Sequence, residues 1–297
     1  MKFSKPALTI DQQLELLKHR GLQVSDYSKA AHFLTYVSYY RLSAYMRPLQ
    51  QSGDAEHNFH QDTTFEDIQE LYLFDRDLRM LVFDAIERIE IAIRTLIIYN
   101  FSTAYGSDWF ENSTLFKHME IHGVILQKLD DELSRSNEVF IKRYLGKYTN
   151  PQRPPAWMSL EVFSLGLLSK LFSDLRQSDE RKAIAKHFGV DSSILESWLE
   201  SITFVRNICA HHGRLWNRGL TITPMHPKRH AFPYLENREF ENTRLYGILS
   251  VILYMLKVVS PETSLSANLK TIIQKYPQMN ASRIGFPSGW ENERLWS

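Results

Sequence analysis

Arg206, Asn207 and His211 lie in the stretch SITFVRNICAHHGRLWNR, Ser201 to Arg218, and together hold the parts for cutting RNA without a metal. The reaction would be attack of a ribose 2′-hydroxyl on its own phosphate. It needs a group that exchanges a proton near neutral pH, which an imidazole does. It also needs fixed positive charge on the developing phosphorane, and a guanidinium matches phosphate oxygens in geometry as well as charge. Asn207 would orient His211 or a phosphate oxygen. A proton-transfer group alone contributes on the order of 10²–10⁴ in rate. Spacing by itself favours a plainer reading, with Arg206 in a surface ion pair and His211 capping carbonyls at a helix end.

These residues need a helix to hold them. With successive residues rotated by about 100°, Trp198, Ile202, Val205 and Cys209 fall on one face, the expected core face. Asn207 and His211, four apart, stack on the far side. Arg206 lies between the two faces, and its long side chain can swing toward His211. Gly213 is the expected helix stop, which leaves His211 and His212 in the last turn, where the helix dipole favours an imidazolium. Phe204 and Ile208 fall near the His211 side, awkward for a monomer and suited to a dimer seam. A zinc site built from Cys209, His211, His212, His226 and His230 is disfavoured. Cys209 points to the core, Pro227 interrupts any helix joining the last two histidines, and the spacing fits no usual zinc pattern. A buried Cys209 is likewise inert as a nucleophile. The phosphate-loop pattern GxxxxGK[ST] is absent, so no nucleotide cofactor is expected.

Helical periods dominate the rest of the chain. Thr9 and Gln12 form a capping box ahead of a short helix that Gly21 closes. Asp26 to Tyr45 reads as one further helical stretch, rich in aromatic residues. Pro48 and the polar run 50–62 read as a linker. Thr64 and Asp67 then open a long helix with Leu71, Phe74, Leu78, Leu81, Val82, Ala85, Ile89, Ala92 and Leu96 on its buried stripe. Arg76, Arg79, Glu87 and Arg94 fall on the opposite face, and Gly106 ends the element. Further helices are expected near 118–136, 138–147, 156–177, 179–188, 191–211, 239–259 and 264–276. Only Gly219–Thr223 carries a strand signal. The fold class is therefore all-α, with a helical segment over 1–52, a bundle over 63–276 and a tail over 277–297.

Composition narrows the setting. The chain has 297 residues, 43% of them hydrophobic and 23% charged, as in an ordinary globular protein. Its net charge of +1 creates no global field for nucleic acid, so RNA would have to be bound by a local groove. One cysteine permits no internal disulfide and suits a reducing cytoplasm. No signal peptide is evident, and the apolar runs at Thr95–Phe101 and Ile248–Val259 fall short of the ~20 residues that span a bilayer. A cytoplasmic protein without membrane contact is expected.

The segment Val205–Arg218 resembles the hallmark block of the Abi-like abortive-infection family (the AbiD and AbiF types), in which an R-x4–6-H motif of the HEPN superfamily is embedded. Three further blocks are similar to that family and stand in the expected order: Phe33–Leu49, Phe74–Thr95 and Pro155–Phe172. The resemblance implies a HEPN helical bundle and a bacterial phage-defence or toxin-like role. It further implies a homodimer whose two motif helices make a composite ribonuclease site. Arg206, Asn207 and His211 match the motif, and His212 is left as a neighbour of open role. An earlier helix often contributes a polar group in such sites, which makes Glu90 and Arg94 supporting candidates. Their plainer reading is a surface pair worth ~0.3–0.5 kcal/mol.

For RNA contacts, Arg214, Trp216, Asn217 and Arg218 follow the motif directly and could clamp phosphates; otherwise Trp216 packs on the bundle and Arg214 pairs with a carboxylate. Arg41 lies among Tyr39, Tyr40 and Tyr45, a mixture suited to stacking on a single strand. At helical spacing, however, Tyr36 and Tyr40 are expected in the core. An RNase that would kill its own cell implies a small-RNA or protein antitoxin. The competing classes are a non-catalytic module that binds RNA or protein, and a regulatory subunit paired with a separate toxin.

Overall fold

The computed structural model describes residues 6–276, 279 and 281–297. The first residues of the expected tail, 277 and 278, and residue 280 lie outside them, as do residues 1–5 of the expected N-terminal segment. Among the described residues there are twelve α-helices and no strand, only isolated bridges. The chain divides into two compact units, Met1–Leu78 with Ile272–Met279, and Arg79–Thr271 with Asn280–Ser297.

In the first unit, α1 (Ile10–His19) opens with the capping box, Thr9 Oγ1 accepting from the Gln12 amide and Gln12 Oε1 from that of Thr9. Gly21, at φ 85°, then turns the chain out. The next stretch is two helices rather than one: α2 (Tyr27–Val37) and α3 (Tyr39–Met46). Ser38 breaks it at φ 61°, and its hydroxyl caps α3 by accepting from the Arg41 amide. This break turns Tyr36 and Tyr40 outward, so both are largely exposed where the core was expected. Tyr45 is buried instead, its hydroxyl donating to Asp75 at 2.5 Å. The run 50–62 is tied down by local bonds. Asp54 accepts from the Glu56 and Asn58 amides, and Phe59 is buried with its amide on the Arg20 carbonyl at 2.8 Å.

The long helix α4 (Phe65–Tyr105) starts at a second capping box between Thr64 and Asp67 and stops at Gly106, φ 92°. Leu71, Phe74, Leu78, Val82, Ala85 and Ile89 are buried as the stripe requires. Beyond Ile89 the stripe continues through Ile93, Ile97 and Phe101, and Ala92 and Leu96 are only half-buried. Spacings of three and four do not repeat evenly around a 3.6-residue turn, so the buried line shifts by one position over this length. Arg79 is buried and Arg94 nearly so, which corrects their placement on the solvent face.

The second unit continues with α5 (Met119–Arg135), α6 (Val139–Lys147), the single turn α7 (Ala156–Ser159), α8 (Leu165–Asp174), α9 (Asp179–His187), α10 (Ser192–Ala210), α11 (Leu245–Val259) and α12 (Leu265–Lys275), whose last turn counts with the first unit. The stretch read as one helix over 156–177 is interrupted at Phe163, and the Ser164 hydroxyl caps α8 by accepting from the Leu167 amide. α10 is the core element here: it packs on α8, α9 and α11, and α5 packs on α8. Gly219–Thr223 is irregular, although the Leu220 amide does bond the Thr243 carbonyl at 2.8 Å. Among the described residues there is no strand for its β-branched residues to pair with. Residues 281–297 pack on α11, where Phe286 and Trp296 meet the ring of Tyr246 and the Trp296 indole donates to Ser250 at 3.0 Å.

Candidate functional site

α10 places the motif. Leu195, Trp198, Leu199, Ile202, Val205 and Cys209 are buried along one side, as the helical wheel requires. The Trp198 indole donates to the Met225 carbonyl at 2.9 Å, and the Met225 amide to Ser197 Oγ at 3.0 Å, so the chain after the motif is laced to its helix. Ile208 is also buried within its own subunit, which corrects its assignment to a dimer seam. Phe204 remains half-buried.

The helix ends differently from expectation. His212, not Gly213, takes the left-handed conformation, at φ 54°. The His212 amide reaches the Cys209 carbonyl at 3.0 Å and the Gly213 amide the Ile208 carbonyl at 2.8 Å, the pair of bonds that closes a helix on a left-handed residue. Glycine would hold that position without strain, whereas a β-carbon there costs about 1–2 kcal/mol. His211 precedes it as the C-cap, and both imidazoles are exposed.

Arg206 is engaged but open. Its guanidinium carbon stands 5.7 Å from the centre of the Phe83 ring, Nε is 4.0 Å from Glu90 Oε2, and one terminal nitrogen is 3.5 Å from Asn207 Oδ1. Glu90 is shared, because its other oxygen accepts from Arg94 at 3.0 Å. Arg94 also donates to the Phe163 carbonyl at 2.8 Å and lies 3.9 Å from Glu161, and its buried Nε has no partner. Side-chain exposures of 11% for Arg94 and 14% for Glu90 correct the surface-pair reading. The carboxylate therefore sits between two guanidiniums, and the three groups together carry one positive charge.

Two grooves meet at Arg206. One, of about 360 Å³, is bounded by Phe83, Glu87, Glu90, Ile91 and Arg94. The other, of about 700 Å³, runs between α5 and α8. Asn207 lines a third, of about 450 Å³, between α8 and α10. His211 is not among the described residues lining any of the three. The structure thus gathers Glu90, Arg94 and Arg206, with Asn207 next to them, and places His211 and His212 on the surface at the helix end.

The segment after the motif divides. Trp216 is fully buried and offers no ring face to a base, which corrects its use as an RNA contact. Asn217, at φ 50°, accepts from Arg244 at 3.0 Å. Arg214 and Arg218 are half-buried, and Arg41 is exposed in the first unit. Among the described residues no three His, Cys, Asp or Glu side chains are grouped as a metal would need. No described helix is long and apolar enough to cross a membrane.

Sequence reasoning missed Phe83 beneath Arg206 and the Phe163 carbonyl on Arg94. An aromatic residue on the polar face of α4, beside Asp84 and Glu87, was the available signal for the first. A backbone carbonyl leaves no such signal. Comparison with known proteins finds no match among curated proteins or solved structures. The model of the Abi-like protein family matches residues 32–217, which takes in α4, α8, α10 and the motif, and the chain belongs to that family.

Proposed function

We propose that the protein is an endoribonuclease of a bacterial abortive-infection system, cleaving RNA by 2′-hydroxyl attack without a metal. The observation that carries this reading is that Arg206 on α10 and His211 at its C-cap are both reachable from solvent. In the step itself the 2′-oxygen bonds to phosphorus and the 5′-oxygen leaves. Arg206 would hold charge on the phosphorane, His211 would carry the proton, and Asn207 would orient one of them. Glu90, itself bonded by Arg94, would position Arg206 together with the ring of Phe83. His212 and the flanking Arg214 and Arg218 lie close in sequence as phosphate contacts.

A single protomer is poorly arranged for this. Five helical residues separate two side chains by about 140° around the axis and about 7.5 Å along it. Two copies facing each other across a two-fold axis would bring Arg206 of one toward His211 of the other. Met80, Phe83 and Ile91, exposed on one side of α4 next to Arg206, supply apolar surface for that contact. The reading is therefore a cytoplasmic homodimer with a composite site, held silent by a small-RNA or protein antitoxin.

The test uses purified wild-type, Arg206→Ala and His211→Ala proteins on RNA. Wild type yields 2′,3′-cyclic phosphate and 5′-hydroxyl ends, insensitive to chelators, and each variant is inactive. Mixing the two variants restores about a quarter of the activity, since half the dimers are mixed and each has one complete site. Products with 5′-phosphates would refute the chemistry, and no recovery on mixing would refute the composite site. The Glu90 carboxylate near Arg206 favours a second reading, a non-catalytic RNA-binding module, because it partly neutralises the motif cation. RNA binding with no cleavage would decide for that reading.

A further inference from the structure

We infer that the groove between α5 and α8 is the track for the sugar–phosphate backbone of a single-stranded RNA, with Lys128 and Lys170 as its phosphate contacts. This rests on the ribonuclease reading and extends it from the reacting atoms to the strand that carries them. The groove holds about 700 Å³, and Arg206 lines it together with both lysines. Glu132 is paired with Arg135 at 3.0 Å, Asp131 accepts from Gln127 at 3.1 Å, and Glu90 is taken by Arg94 at 3.0 Å. The side-chain ammonium groups of Lys128 and Lys170 make no hydrogen bond or ion pair among the described residues.

Glu90 and Glu132 are thus paired with arginines, Asp131 keeps its charge beside a neutral amide, and the four cations of the groove, Lys128, Arg135, Lys170 and Arg206, outnumber its three carboxylates, which leaves the two ammonium groups along a channel that leads to Arg206. A strand whose scissile phosphate sits on Arg206 would place neighbouring phosphates along these lysines. Lysine contacts of this kind fix register without reading sequence. A local track also resolves the conflict between RNA binding and a chain whose net charge is only +1. Lys170 lines the adjoining α8–α10 groove as well, where Asn207 lies, so the same cation serves both sides of the motif.

The experiment measures binding of a fluorescein-labelled, single-stranded oligoribonucleotide of mixed sequence to the full-length His211→Ala protein, by anisotropy across a potassium chloride series. Adding Lys128→Gln and Lys170→Gln weakens binding by about tenfold or more and reduces the slope of log affinity against log salt by about 1.4, or about 0.7 per phosphate contact. A Lys182→Gln, Lys186→Gln pair in another groove of the same unit is the control and leaves both quantities unchanged. Unchanged affinity and slope in the Lys128/Lys170 variant overturn this track while leaving the ribonuclease reading intact. An equal loss in the control overturns it too, since the effect would then be general charge. A His211→Ala protein that binds no RNA at any salt defeats the ribonuclease reading itself.

Discussion

Two ion pairs on α4 have the same spacing and opposite surroundings, and alanine substitution will separate them. Arg94–Glu90 and Arg88–Asp84 are both i, i+4 pairs, at 3.0 and 2.6 Å. Exposures are 11% and 14% in the first pair and 38% and 63% in the second. Glu90→Ala leaves a nearly buried Arg94 without its close carboxylate, the situation that costs about 3 kcal/mol or more. Its remaining partners, the Phe163 carbonyl and a distant Glu161, do not replace that charge. Asp84→Ala removes a solvated pair worth about 0.3–0.5 kcal/mol. Glu90→Gln keeps an acceptor and loses the charge, an intermediate loss of about 1–2 kcal/mol. For a unit of this size the three changes lower Tm by roughly 6–12, 1–2 and 2–8 °C respectively. All six tryptophans lie in the second unit, so urea and thermal unfolding followed by tryptophan fluorescence report the unit that holds both pairs. Equal losses for Glu90→Ala and Asp84→Ala, within about 0.5 kcal/mol, would refute the argument that burial, and not spacing, sets the strength of the Glu90 bridge.

His212→Gly relieves a left-handed β-carbon while keeping both closing backbone bonds, and after the entropy cost of a glycine it raises the midpoint of fluorescence-detected unfolding, a gain of about 0.5–1 kcal/mol in stability. A lower midpoint would mean that the imidazole's own contacts outweigh that relief. In the first unit, burial alone would push the Asp77 carboxyl up, but hydrogen bonds from Lys275 at 2.7 Å and Tyr276 at 2.9 Å, with the charges of Lys275 and Arg76, hold it below its ordinary value. A depressed folded pKa contributes stability that is complete above the unfolded value of about 3.9 and is lost as pH falls through the folded one. The stability gap between wild type and Asp77→Asn, measured by circular-dichroism melts, therefore closes below about pH 4; a gap that persists at lower pH would remove the ion pair as its cause.

The parts of the fold legible in the sequence are those decided within a few residues. The capping boxes at Thr9 and Thr64, the stop at Gly106 and the buried face of α10 follow from local chemistry and a 3.6-residue period. Ser38 was not legible as a break, because serine is tolerated inside helices and its capping role shows only once the chain has turned. Tyr36 and Tyr40 follow from the same break. Ile208 looked exposed on a wheel that assumes one buried face, whereas helices and loops cover α10 on several sides. The shift of the left-handed residue from Gly213 to His212 was hidden by the general preference for glycine, and only the backbone bonds reveal it. The Glu90 bridge joins α4 to α10 across more than a hundred residues of sequence, so no spacing rule could propose it.

That bridge bears on how the proposed chemistry would work. A free arginine side chain carries about 2 kcal/mol of rotamer entropy, which a phosphate would have to offset on binding. At 4.0 Å from Glu90, and over the ring of Phe83, the Arg206 guanidinium is already confined, yet its contact with the carboxylate is too long for a full hydrogen bond. Glu90's close bond goes to Arg94 instead. A phosphate approaching along either groove therefore meets a pre-oriented cation whose donors are largely uncommitted, beside a carboxylate that Arg94 shares and bonds more closely. Were Glu90 bonded closely to Arg206, the same residues would form a closed salt bridge and the guanidinium would have little left to offer. The division of one carboxylate between two arginines, one near and one far, is what leaves the motif cation available.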